Sequence, residues 1–116
     1  MNSAPQVLVI SNEQWPRALL RAELEQAGYD AVGAETVSEA MHQSIADPER
    51  PVQLVVVDSG IASAEAEAMA QLRRRYPGVP FVVIQRAGPA PPGPWTASLH
   101  RPVTIGDIVA AVRKLI

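Results

Sequence analysis

The sequence predicts an α/β protein with a doubly wound, five-stranded parallel sheet. Short apolar runs alternate along the chain with amphipathic stretches of helical spacing. The run richest in Val, residues 54–57, leads into Asp58 and Gly60. Val-rich runs are typical of strands buried on both faces. Strands that alternate with helices favour a parallel sheet with helices on both sides.

Length and composition bound the fold. The 116 residues suit one domain, spanning 1–116, which is large enough to fold without a disulfide or a structural metal. There is no cysteine, so neither a disulfide framework nor a thiolate zinc site is expected. The chain is 47% hydrophobic but only 4% aromatic, so Val, Leu, Ile and Ala must build the core.

Charge and hydropathy narrow the classes of partner. The formal net charge of −2 argues against nucleic acid and anionic membranes as partners. No apolar run approaches the ~20 residues of a membrane span, and residues 1–5 lack the pattern of a signal peptide. These observations predict a cytoplasmic location. Nine of the ten basic residues are Arg, which with abundant Ala and Pro hints at a bacterial genome rich in GC.

The first elements follow from local signals. Residues 6–10 (QVLVI) predict a buried strand, and residues 29–34 predict a second, shorter one. Between them, residues 13–27 carry apolar side chains at helical spacing. Ser11 and Asn12 precede this helix, and both residue types are good N-caps.

Capping and composition set the middle elements. Thr36 and Glu39 have the spacing of a capping box, and the helix that they open is predicted to end near Ala46. After the strand that ends at Asp58, residues 61–76 are rich in Ala, Glu and Arg and predict one helix. Residues 81–85 predict the fourth strand.

Proline changes the pattern in the last part of the chain. Four prolines and two glycines within residues 87–94 exclude a regular helix there and favour a loop. Residues 97–100 predict a short fifth strand. Thr104 and Asp107 then open a final amphipathic helix.

In element order and spacing, the chain resembles the receiver domain of bacterial two-component response regulators. The resemblance covers residues 6–116 and implies the flavodoxin-like (βα)5 fold, with the fourth helix shortened or replaced by the Pro-rich segment. Five positions carry the chemistry of receivers, and each can be placed on this chain. The family's acidic pair falls on Ser11 and Asn12, and its phosphoacceptor aspartate on Asp58. Its hydroxyl residue falls on Gln85, its aromatic residue on Ser98 and its lysine on Arg101. Only Asp58, and Pro102 after Arg101, match the family by residue type.

The departures bear on the chemistry that the resemblance implies. In the family, the acidic pair and the aspartate hold Mg²⁺, which neutralises the incoming phosphoryl group. Ser11 and Asn12 offer only neutral oxygens, so Asp58 and Glu13 are the carboxylates left for a weak Mg²⁺ site. No other metal or cofactor is expected. Arg101 keeps the positive charge and can pair with Asp58 or contact a phosphate.

Asp58 has two interpretations. As a site of family origin, it is a phosphoacceptor candidate. As a local structural residue, it closes the strand with a side-chain turn and pairs with Arg101. Trp95, beside the Pro-rich segment, is either a contact for a protein partner or a side chain that fixes the loop.

The leading functional prediction is a pseudo-receiver, a signalling module of two-component type that is not an enzyme. It acts through contacts with a protein partner such as a histidine kinase or an output domain, without Mg²⁺-dependent phosphotransfer. The alternative is an active phosphorelay receiver phosphorylated on Asp58 by a histidine kinase. A second alternative is a small flavodoxin-like enzyme or nucleotide binder, although the chain has neither a G-x-G-x-x-G motif nor a P-loop.

Overall fold

The structure, a computed structural model, describes residues 4–46, 51–85, 91 and 93–116. Its strands and helices, in chain order, are β1 (Gln6–Ile10), α1 (Gln14–Gln26), β2 (Asp30–Ala34), α2 (Val37–Ala46), β3 (Val52–Asp58), α3 (Ser59–Ala64), α4 (Ala66–Arg75), β4 (Phe81–Gln85), β5 (Ala97–His100) and α5 (Ile105–Leu115).

The strands form one five-stranded sheet in the order β2-β1-β3-β4-β5. Every neighbouring pair is parallel. The predicted doubly wound parallel sheet is therefore confirmed. Because all the strands point the same way, β1, β3 and β4 end together at one edge, which carries Ile10, Asp58 and Gln85.

Alternate residues of the central strands enter two separate cores. One core lies between the sheet and helices α2, α3 and α4, and includes Leu8, Val55 and Leu72. The other lies between the sheet and helices α1 and α5, and includes Leu54 and Val112. All five are at most 1% exposed. This two-sided burial explains why the strands read as continuous apolar runs.

The single helix predicted over residues 61–76 is wrong. The chain instead forms α3 from Ser59 and α4 from Ala66, separated at Glu65, whose φ of −119° and ψ of 44° are not helical. The Glu65 side chain explains the break, since its Oε2 accepts a hydrogen bond from the backbone N of Val37 at 3.1 Å. This contact ties the start of α2 to the joint between α3 and α4.

The predicted helix starts are confirmed at α2 and α5. Thr104 and Asp107 form a full capping box at α5. At α2, Thr36 Oγ1 accepts from Glu39 N at 3.0 Å, but the Glu39 carboxylate accepts from Glu35 N.

Part of the predicted Pro-rich loop, residues 87–90 and 92, lies outside the described residues. Residues 91, 93 and 94 belong to no helix or strand. Within the ranges that the structure covers, no helix is long and apolar enough to cross a membrane.

Candidate functional site

Asp58 is the last residue of β3 and lies at the carboxyl edge of the sheet, with 6% of its surface exposed. Its Oδ1 accepts a hydrogen bond from the backbone N of Gly60 at 2.8 Å and so caps α3. The local interpretation of Asp58 as a turn residue is therefore confirmed. The same geometry leaves Oδ2 directed toward another element.

That second oxygen meets Arg101. Arg101 Nη2 lies 3.6 Å from Asp58 Oδ2, and the Arg101 side chain is 39% exposed whereas that of Asp58 is 6% exposed. The backbone N of Arg101 donates to Gln85 O at 2.9 Å, which anchors the turn beyond β5 against the end of β4. The Arg101–Pro102 peptide bond is cis. The ion pair predicted from the sequence is present.

The residues after β1 form the opposite wall of the site. Ser11 N donates to Ala34 O at 3.0 Å, and Ser11 Oγ accepts from Glu13 N at 3.3 Å. Glu13 occupies the N-cap position of α1, and its side chain makes no capping hydrogen bond. The prediction that Ser11 or Asn12 is the N-cap of α1 is therefore wrong.

A cavity of about 560 Å³ opens beside Asp58. Its polar lining consists of Asn12, Glu13, Glu35, Thr36, Asp58 and Glu65. The structure thus brings Asn12, Glu13 and Asp58 together, as the resemblance implies. No group of three or more His, Cys, Asp or Glu side chains suited to a metal ion occurs among the described residues.

Sequence reasoning missed Arg17. Its guanidinium donates to the Ser11 carbonyl oxygen at 2.5 Å and lies 3.6 Å from Glu35 Oε1. Arg17 also borders a smaller cavity, of about 50 Å³, together with Ser11, Asp58 and Arg101. Its place one turn into the helix after β1 is the sequence signal that would have found it, because that turn starts at the carboxyl edge of the sheet.

Gln85 and Ser98 differ in their surroundings. Gln85 is 3% exposed, and its side-chain Oε1 is buried without a hydrogen-bond partner within the described ranges. Ser98 lies on β5, pairs with Val83 and is exposed. Gln85 therefore ends β4 at the edge of the sheet that holds Asp58.

Trp95 lies elsewhere. It precedes β5 and so belongs to the amino edge of the sheet, opposite to Asp58. Its Nε1 donates to the Pro91 carbonyl oxygen at 2.8 Å, and its ring lies 4.4 Å from the Arg73 guanidinium carbon. This hydrogen bond ties Trp95 to Pro91, a described residue of the Pro-rich segment, while its role in fixing the loop and its contact with a partner both stay predictions.

Comparison with known proteins gives one curated relative of note and many similar structures. No family model matches the chain. The chain is 28% identical over 92 residues to a response regulator receiver protein of Anaeromyxobacter sp. (strain Fw109-5). The match covers 79% of this chain and 37% of that relative, so the chain spans about a third of the relative's length.

Solved receiver structures superpose over almost the whole chain. The chemotaxis protein CheY4 of Vibrio cholerae has a TM-score of 0.80 at 15% identity, covering 98% of this chain and 100% of its own. The signal receiver domain of an HD domain-containing protein from Pseudomonas fluorescens Pf-5 has a TM-score of 0.79 at 17% identity, covering 97% and 94%. A response regulator receiver protein from Pseudomonas putida reaches 0.77 at 21% identity, covering 98% and 99%. The chain has the CheY-like receiver fold and is similar in sequence to a response regulator receiver protein.

Proposed function

We propose that this domain is a pseudo-receiver of two-component signalling in the bacterial cytoplasm, which acts through protein contacts without Mg²⁺-dependent phosphotransfer. The observation that carries the proposal is the state of Asp58. Its two oxygens are engaged by Gly60 N and Arg101, while the family's acidic pair is replaced by Ser11 and Asn12.

The donor set around Asp58 suits Mg²⁺ poorly. Mg²⁺ requires a near-octahedral set of hard oxygens and usually binds through one or two carboxylates. Three carboxylates that line the cavity already have partners: Asp58 faces Arg101, Glu35 faces Arg17, and Glu65 accepts from Val37 N. Recruiting any of them for the metal would compete with an existing contact, and Ser11 and Asn12 supply no charge to offset that competition.

A fixed Asp58 also fixes the surrounding elements. Asp58 caps α3, and Arg101 directly follows β5, so their ion pair links the two elements across the edge of the sheet. Such a link favours a single conformation of this edge over an exchange between two conformations that phosphate would control. The output is then a surface read by a partner, whether a histidine kinase, an output domain or another signalling protein.

The test is an NMR titration of the ¹⁵N-labelled protein with MgCl₂, up to about 10 mM at constant ionic strength. The proposal predicts no saturable shift of the Asn12, Asp58 and Gly60 amides. A saturable shift confined to these amides, with a dissociation constant below about 1 mM, would overturn it.

An active phosphorelay receiver is the second candidate, because one observation favours it. Asp58 stands where receivers are phosphorylated, and Arg101 supplies a guanidinium that can contact phosphoryl oxygens. In this candidate, a histidine kinase phosphorylates Asp58. The two candidates differ in one observable, a covalent phosphate on Asp58.

A further inference from the structure

A second pocket lies at the amino edge of the sheet, on the side opposite to Asp58. Its volume is about 310 Å³, and its lining consists of Arg73, Tyr76, Gly78, Val79, Phe81, Pro94, Trp95 and Thr96. This volume falls at the lower end of the range for small-ligand sites, about 300–1,000 Å³. Hydrophobic and aromatic walls with a small number of polar groups are the usual composition of such sites.

The cation is Arg73, near the end of α4. Its guanidinium carbon lies 4.4 Å from the Trp95 ring and 5.7 Å from the Phe81 ring centroid. Its Nε and Nη2 are buried and have no hydrogen-bond partner within the described residues. Burial lowers the pKa of Arg73, but a guanidinium stays protonated in proteins. Two buried N–H groups of this partly buried cation thus lie beside aromatic rings without a hydrogen-bond acceptor.

Stacking leaves the ligand preference of a guanidinium unchanged. A ring over its face occupies the π surface, while the N–H groups point outward in the guanidinium plane. Nε and Nη2 share one edge of that plane, and two parallel N–H donors on one edge match a carboxylate. The two Arg73 donors that lack a partner, Nε and Nη2, therefore have the geometry of a bidentate carboxylate site.

Gly93 lies against the end of the guanidinium that carries Nη1 and Nη2. A Cβ built on Gly93 would overlap the Arg73 guanidinium, and its φ of 141° already favours glycine. No described acceptor bonds to Nε or Nη2. A modest rotation of the Arg73 side chain away from Gly93 and toward the adjoining pocket therefore breaks no hydrogen bond of these two nitrogens.

We propose that this pocket binds a small organic acid with a flat apolar body, whose carboxylate pairs with the Arg73 guanidinium while the body packs among Tyr76, Phe81 and Trp95. The binding site is separate from the receiver site, and the inference is independent of the function proposed for Asp58.

Trp95 fluorescence tests the proposal. The chain has two tryptophans, so a Trp15→Phe background leaves Trp95 as the sole reporter. Phenylacetate is the probe, 2-phenylethanol its neutral counterpart and acetate the anion without an apolar body, all at constant ionic strength. We expect a saturable change with phenylacetate and at least about tenfold weaker binding of the other two compounds.

Substitution at Arg73 tests whether its guanidinium is the group that binds the carboxylate. Arg73→Met should weaken phenylacetate binding about tenfold or more, whereas Arg75→Met, which removes an exposed charge from the same helix, should leave it unchanged. If Arg73→Met does not fold, Arg73→Lys keeps the charge, loses the fork and should still bind more weakly. The proposal is overturned if phenylacetate gives no saturable change, if 2-phenylethanol binds equally well, or if a folded Arg73 variant keeps full affinity.

Discussion

Replacing Ser11 and Asn12 together by aspartate creates Mg²⁺ affinity beside Asp58. Each new carboxylate adds an attraction to the dication of at least about 1 kcal/mol even at the dielectric constant of water, so the dissociation constant should fall about tenfold or more. The measurement is the NMR titration of the Asn12, Asp58 and Gly60 amides, with residue 12 followed as aspartate in the variant.

The matched control adds the same negative charge at positions away from the site. Gln53→Glu with Gln71→Glu also adds two carboxylates, but on exposed positions of β3 and α4 away from the carboxyl edge. This control should bind Mg²⁺ as weakly as the wild type. If the aspartate variant gains no affinity, missing charge does not account for poor Mg²⁺ binding. Adding Gln85→Thr then tests whether the longer buried side chain blocks the space.

Truncation of either core should destabilise the domain strongly. Leu8 and Leu54 point to opposite faces of the sheet and are 1% and 0% exposed. Leu8→Ala and Leu54→Ala should each lower the free energy of unfolding by about 2–5 kcal/mol, because each removes buried methyl groups and leaves a cavity. Urea denaturation followed by circular dichroism measures both.

Gln53→Ala is the control for this series. Gln53 is exposed and precedes Leu54 on the same strand, so its truncation should change the free energy of unfolding by less than about 0.5 kcal/mol. A small loss for Leu8→Ala beside a large one for Leu54→Ala would contradict a sheet with two buried faces.

The strands were predictable because their signals are local. The bounds of β1, β4 and β5 agree with the prediction, since β1 and β4 are short apolar runs and β5 lies between the Pro-rich segment and the Arg101–Pro102 turn. The break between α3 and α4 was not predictable. Glu65 is a good helix former in a favourable sequence, and the contact that accompanies its departure from the helix is with Val37, 28 positions away.

The residues of the candidate site likewise divide into those that the sequence predicted and those that it did not. Asp58 was found because it ends a Val-rich strand at the edge where ligand sites of parallel sheets lie. Arg101 was found because the resemblance to receiver domains places it at the family's lysine position, and the structure places the two side chains 3.6 Å apart. The contacts of Arg17 and Arg73 depend on which side chains the folded chain brings beside them. Arg73 belongs to a run of three arginines that reads as an exposed helix end, yet Trp95 and Gly93 cover its guanidinium.

The most direct test of the pseudo-receiver assignment is the intact mass of the protein after incubation with acetyl phosphate and Mg²⁺, with Asp58→Asn as the control. The account predicts no added phosphate on the wild type. In this account Asp58 binds no Mg²⁺, and losing such an electrostatic stabiliser slows a reaction by about two to three orders of magnitude. A phosphate adduct on the wild type that disappears in Asp58→Asn would contradict the account and identify an active receiver.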